Sequence, residues 1–112
     1  NKSINEYVEC CNKTKELAHS IGKMICKAVE SVIPGIFFFI EGDKRGLETI
    51  CFDSNTSYRI NSPSDKRDIY FIGVIQEIFP ILTDRVACPY GLYVSQKERS
   101  EIINILNKLE EA

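Results

Sequence analysis

Hydrophobic residues in the first third of the chain recur at intervals of three and four positions. Over residues 4–32 this spacing has the period of an amphipathic helix. Ser3 can cap its start, and Pro34 ends the pattern. The sequence therefore predicts one long helix over about residues 4–32, with Asn12 and Gly22 as points where it can loosen.

The middle of the chain changes to short apolar runs that are separated by turn residues. Residues 36–41 and 47–53 flank a turn rich in glycine and charged residues, which is the pattern of a β-hairpin. The first run is apolar on both faces, which favours a strand that is covered on both sides. A further run at residues 57–61 predicts a third strand, and the three together predict an antiparallel meander.

A second helix is predicted after this meander. Ser62 fits the N-cap, Pro63 the first helical position and Asp65 the acid of a capping box. The apolar stripe that follows is wide, so we expect this helix to be heavily buried. Pro80 ends it or kinks it.

The last third of the chain predicts a broken strand and a third helix. Residues 85–95 form either one strand that Pro89 and Gly91 interrupt or two very short strands. Ser95 and Glu98 have the spacing of a second capping box at the start of the last helix.

The order of these elements is α-β-β-β-α-β-α, which predicts the α+β class. We expect a single domain over residues 1–112, with an antiparallel sheet of about four strands and three helices. A chain of this length can bury a core without disulfides or metals. No apolar run is long enough to span a bilayer, so we expect no membrane partner.

Charge and cysteine content narrow the classes of function. The chain has 14 basic and 16 acidic residues, a net charge of −2 and no basic stripe. We therefore expect no nucleic-acid binding. Its five cysteines are odd in number and follow no framework spacing. That pattern indicates reduced thiols in a cytoplasmic protein.

Three cysteines and the only histidine lie close together in the first helix, which raises the question of a metal site. His19 and Cys26 are seven residues apart, which is about 10 Å of helix rise. Zinc ligands must lie within about 2.0–2.3 Å of the ion, so one straight helix cannot place both on it. We expect no metal and no cofactor, and His19 at the helix surface or half-buried.

Motifs that carry catalytic chemistry are missing from the sequence, so we expect a binding protein and not an enzyme. There is no phosphate-binding glycine loop and no CxxC, HExxH or GxSxG motif. The candidates for partner binding are acids around the first hairpin, acids at the start of the second helix, and tyrosines that can anchor an interface. These residues are Glu41, Asp43, Glu48, Asp53, Asp65, Asp68, Tyr58, Tyr90 and Tyr93.

In its size, slight acidity and lack of catalytic motifs, the chain resembles the immunity proteins of contact-dependent growth inhibition and related bacterial toxin systems. That resemblance implies a cytoplasmic antitoxin that binds and neutralises a cognate toxin domain, with a nuclease as the expected toxin. The order of elements and the acidic balance also resemble small type III secretion chaperones. A third hypothesis is a thiol-dependent enzyme or sensor that uses Cys10, Cys11 or Cys51, which requires a thiol with a lowered pKa.

Overall fold

Three continuous helices and five strands make up the part of the chain that the computed structural model describes. That part comprises residues 4, 5, 7, 14–42, 48–55 and 67–111. Ile4, Asn5 and Tyr7 are also helical. In chain order the elements are α1 (Thr14–Val29), β1 (Ile36–Gly42), β2 (Glu48–Ser54), β3 (Ile69–Tyr70), α2 (Phe71–Ile78), a 3-10 turn (Pro80–Leu82), β4 (Val86–Ala87), β5 (Tyr93–Val94) and α3 (Gln96–Glu111).

The strands form two sheets, and the α+β class is confirmed. β1 and β2 pair antiparallel, and β4 pairs with β2 in parallel. β3 and β5 form a second, two-stranded antiparallel sheet. The prediction of one antiparallel sheet of about four strands is therefore wrong in its arrangement. Parallel pairing requires a long crossover connection, and the segment that contains α2 supplies it between β2 and β4.

Helix α1 packs across β1 and β2 and is continuous through Gly22, so the expected loosening there does not occur. Gly22 is buried directly under the ring of Phe38, where a β-carbon would stand only 2.5 Å from the ring carbon Cδ2. The missing side chain is what allows the helix to approach the sheet this closely. α1 ends at Val29, whose carbonyl accepts the N–H groups of Val32 and Ile33 at 2.9 Å.

The second helix begins at Phe71, about eight residues later than predicted. Ile69 and Tyr70 pair with β5 instead, and the Phe71 N–H donates to the Leu92 carbonyl at 2.8 Å. The apolar run that indicated a helix is therefore divided between a strand and a helix by pairing with a distant segment. The predicted cap at Ser62 and the predicted strand at 57–61 lie outside the described residues.

The start of α3 confirms the predicted capping box. The Ser95 N–H donates to Glu98 Oε1 at 2.8 Å, and the Glu98 N–H donates to Ser95 Oγ at 3.2 Å. Ile102 and Leu106 of this helix are buried in the core. The described helices include none with the length and apolar character needed to cross a bilayer.

Candidate functional site

Two tyrosines pair across the small β3–β5 sheet, and a third lies in the turn that precedes β5. We call these three residues the tyrosine surface: Tyr70, Tyr90 and Tyr93. Tyr70 and Tyr93 are directly paired across the two strands, with ring centroids 5.6 Å apart. Tyr70 is 40% exposed and Tyr90 is 64% exposed, so both offer large aromatic area to solvent. The sequence pattern missed Tyr70 because it placed this residue inside a buried helix.

A tight turn displays Tyr90. The Gly91 N–H donates to the Cys88 carbonyl at 3.0 Å, and Pro89 occupies the second turn position, where its fixed φ is favourable. Gly91 has a φ of 78°, and a β-carbon there would stand 3.1 Å from the Tyr93 ring. Glycine is therefore favoured at this position, and the turn exposes Tyr90 three residues before Tyr93.

A hydrogen bond ties the small sheet to the same turn. The Tyr70 hydroxyl donates to the Cys88 carbonyl at 3.4 Å. Burial raises the pKa of Tyr70, with a smaller contribution from Cys88, so its hydroxyl stays protonated and remains a donor at neutral pH. A ring that is held in place before binding loses less conformational entropy when a partner covers it.

One of the predicted acids lies in the segment that leads into β3. Asp68 is exposed and precedes Tyr70 by two positions, the spacing that places side chains on one side of an extended chain. Its neighbour Arg67 instead forms an ion pair with Glu98, with Nε 3.5 Å from Oε1. That pair links the segment that leads into β3 to the first turn of α3.

The predicted hairpin acids do not form one cluster. Glu41 is exposed at the end of β1, and Glu48 is half-buried at the start of β2. Asp53 is only 2% exposed, and its Oδ1 accepts the N–H of Ser54 at 2.7 Å. Asp53 is therefore a structural residue of the sheet and presents no charge to a partner.

Three further candidates cannot be placed. Asp43, Tyr58 and Asp65 lie outside the described residues. Among the described candidates, Asp68, Tyr90 and Tyr93 lie on the two segments that the pairing of β3 with β5 brings together. Glu41 and Glu48 lie at the same end of the hairpin, at adjacent register positions whose side chains point to opposite faces.

The described thiols lack the activation that a nucleophile needs. Cys26, Cys51 and Cys88 are free thiols. Burial raises the pKa of Cys51 to about 11, and the nearby carboxylate of Glu41 adds to the shift. Burial also raises the pKa of Cys26 to about 12 and that of Cys88 above its usual range. These thiols are protonated at neutral pH, so Cys51 does not meet the requirement of a thiol-dependent mechanism; Cys10 and Cys11 lie outside the described residues.

The histidine on α1 has a packing role. His19 is exposed, and its ring meets the ring of Phe38 edge to face with centroids 5.1 Å apart. This confirms its expected place at the helix surface. Within the described ranges, no three His, Cys, Asp or Glu side chains are grouped so that they could hold a metal ion.

Comparison with known proteins gives no match to any family model, curated protein or solved structure.

Proposed function

We propose that this protein acts by binding a partner protein and that the tyrosine surface anchors the contact. The observation that carries this proposal is the display of Tyr70 and Tyr90, which are 40% and 64% exposed on a fixed turn and sheet. Tyrosine rings contribute large apolar area and a polar atom with few rotatable bonds, which is why they dominate many interfaces. At 64% exposed, Tyr90 presents most of its surface to solvent, where a partner can cover it.

Within that class, we propose a bacterial immunity protein that neutralises a cognate toxin domain in the cytoplasm by occupying it, without catalysis. The small size and net charge of −2 support this reading. The exposed carboxylates of Glu41 and Asp68 and the half-exposed one of Glu48 add negative charge that attracts the basic cleft of a nuclease. Opposite charges steer the two proteins together and speed association.

The tyrosine surface is tested with the toxin domain encoded next to this protein's gene. Coexpression should protect cells from the toxin, and the purified pair should form a stable complex. Tyr90→Ala should weaken that complex by about 2 kcal/mol, or about 30-fold, because an exposed anchor is lost. Ile81→Ala is the matched control, since Ile81 is 44% exposed but lies outside the tyrosine surface.

An affinity that is unchanged by Tyr90→Ala in a folded protein would place the contact elsewhere. A neighbouring gene for a secretion effector, with a complex between the two products, would favour the chaperone reading over immunity.

The acidic contribution has its own test. A triple variant with Glu41→Gln, Glu48→Gln and Asp68→Asn removes the negative charges of these three candidates. It leaves the buried Asp53 unchanged. We expect slower association and a weaker dependence of the association rate on salt. Glu111→Gln, an exposed acid at the end of α3, is the matched control. If the triple variant keeps the parent's salt dependence, electrostatic steering by these acids is wrong.

A further inference from the structure

A groove runs between helix α1 and strand β1, on a different part of the molecule from the tyrosine surface. Its volume is about 450 Å³. The ring of Phe38 packs under Gly22 and against His19, so this side of the groove is firm. The described residues that line it are Lys23, Cys26, Lys27, Glu30, Ile36, Phe37 and Phe38.

The edge of β1 faces this groove with its main chain. Among the described strands, β1 pairs only with β2. The Asn55 N–H donates to the Gly35 carbonyl at 3.2 Å, which fixes the alternation of the antiparallel ladder. Every second residue after Gly35 is in the same situation, so Phe37 and Phe39 direct their N–H and C=O groups towards β2. Phe38 and Ile40 direct their N–H and C=O groups to the outer edge.

The edge of β1 is apolar, so its burial by another chain segment is favourable. The strand reads Ile-Phe-Phe-Phe-Ile along Ile36–Ile40, and Phe37 is exposed. An unpaired edge with apolar side chains is the template onto which another extended chain adds. Main-chain hydrogen bonds then supply affinity, and adjacent side-chain pockets supply specificity.

The charge beside the groove identifies the chemistry of its occupant. Lys23 and Lys27 are exposed one helical turn apart on α1, and Glu30 is the single acid among the lining residues. The thiol of Cys26 is uncharged, since burial raises its pKa to about 12. The wall is therefore positive, two cations against one anion, in a chain whose net charge is −2.

We propose that this groove binds an extended acidic segment of a partner protein, which adds to β1 as a further strand. Main-chain hydrogen bonds form to Phe38 and Ile40. The carboxylates of the segment meet Lys23 and Lys27 on the α1 face, and its apolar side chains cover the exposed Phe37 on the opposite face. A second copy of this chain fits less well, because pairing β1 with β1 would bring the lysines of both copies to the same side. The proposal does not rest on the tyrosine surface or on the immunity reading.

The test uses a defined probe, an acetylated and amidated peptide with the sequence Asp-Val-Glu-Ile-Asp-Val-Glu-Ile. We expect amide chemical-shift changes confined to residues 23–30 and 36–40. The amides of Phe38 and Ile40 should exchange rapidly in the free protein and become at least about tenfold more protected when the peptide adds. The same peptide with lysine at every acidic position should bind at least about tenfold more weakly.

Matched variants separate this groove from the tyrosine surface. Lys23→Glu with Lys27→Glu should weaken binding of the acidic peptide at least about tenfold. Lys108→Glu, at an exposed lysine of α3, and Tyr90→Ala should leave it unchanged.

Three results would overturn the proposal. The first is that millimolar acidic peptide changes no amide chemical shift at the groove. The second is that the variant with Lys23→Glu and Lys27→Glu binds the acidic peptide as tightly as the parent protein does. The third is protection of Phe38 and Ile40 amides before any peptide is added. If that protection rises with protein concentration, the occupant is a second copy.

Discussion

Replacing Gly22 with alanine sets two effects of opposite sign against each other. Alanine is the better helix former, so in the middle of α1 it should stabilise the fold by about 1 kcal/mol. The structure opposes that gain, because the new β-carbon would stand 2.5–2.8 Å from three atoms of the Phe38 ring. Overpacking of this kind costs about 1–3 kcal/mol.

The steric effect should win, because the Phe38 ring has little freedom to move away. It packs against His19, with ring centroids 5.1 Å apart, and contacts the core of the sheet. We therefore expect Gly22→Ala to lower the free energy of unfolding by up to about 2 kcal/mol. Urea unfolding followed by circular dichroism measures this difference, with the midpoint and the slope reported separately.

Two further variants make the result diagnostic. Gly73 lies in α2 with no atom within 4 Å of its ideal β-carbon, so Gly73→Ala should raise stability by about 0.5–1 kcal/mol. In a Phe38→Ala background the clash is gone, and Gly22→Ala should then become stabilising, which is a coupling that a double-mutant cycle detects. If Gly22→Ala stabilises the parent protein as much as Gly73→Ala does, the close approach of α1 to β1 is wrong.

Three further predictions concern the capping box of α3, the buried carboxylate of Asp53 and the thiol of Cys51. Ser95→Ala should cost about 1 kcal/mol in urea unfolding through loss of the capping box, and an unchanged midpoint would contradict the reciprocal hydrogen bonds. Asp53→Ala should cost about 1–3 kcal/mol by leaving the buried Ser54 N–H without this acceptor, and an unaltered melting temperature would refute that role. Cys51 has a native pKa of about 11 against an ordinary value of 9.0, so between these values the unfolded chain loses a proton that the native state keeps. Stability should therefore fall as pH rises through that window, by up to about 1.4 kcal/mol per pH unit for this thiol. Cys51→Ala should make the fall shallower, and an identical slope would show that this thiol is not responsible.

Features set by neighbours in the sequence were predictable, and those set by distant pairing were not. The capping box at Ser95 and Glu98 depends on a spacing of three residues, so it can be read without the fold. The hairpin of β1 and β2 likewise follows from adjacent apolar runs. Strand β3 depends on Ile69 meeting Val94, and no local pattern specifies such a contact. Its apolar residues fit a helical period equally well, so the sequence pattern predicts a start for the second helix that is about eight residues too early.

The hairpin acids do not form the predicted cluster, because the length of β2 separates two of them. Glu48 and Asp53 lie at opposite ends of β2, about 16 Å apart at the usual rise per residue. Only the first is near the turn, and the second pairs with Phe37 at the far end of the hairpin. Proximity in sequence within a strand therefore does not make a charged patch, whereas the pairing of β3 with β5 brings Tyr70 and Tyr93 together across more than twenty residues.

The order of the strands leaves β1 at an edge, and an interruption after β4 accounts for the pairing of the tyrosines. β4 pairs with β2 on the side away from β1, which leaves β1 at the edge of the described sheet. Pro89 lacks an N–H and cannot extend the ladder of β4, and Gly91 turns the chain through its positive φ. The chain then leaves the larger sheet and pairs with β3, which carries Tyr93 to Tyr70. An unbroken strand here would keep Tyr93 in the larger sheet, so the turn that displays Tyr90 also allows Tyr93 to pair with Tyr70.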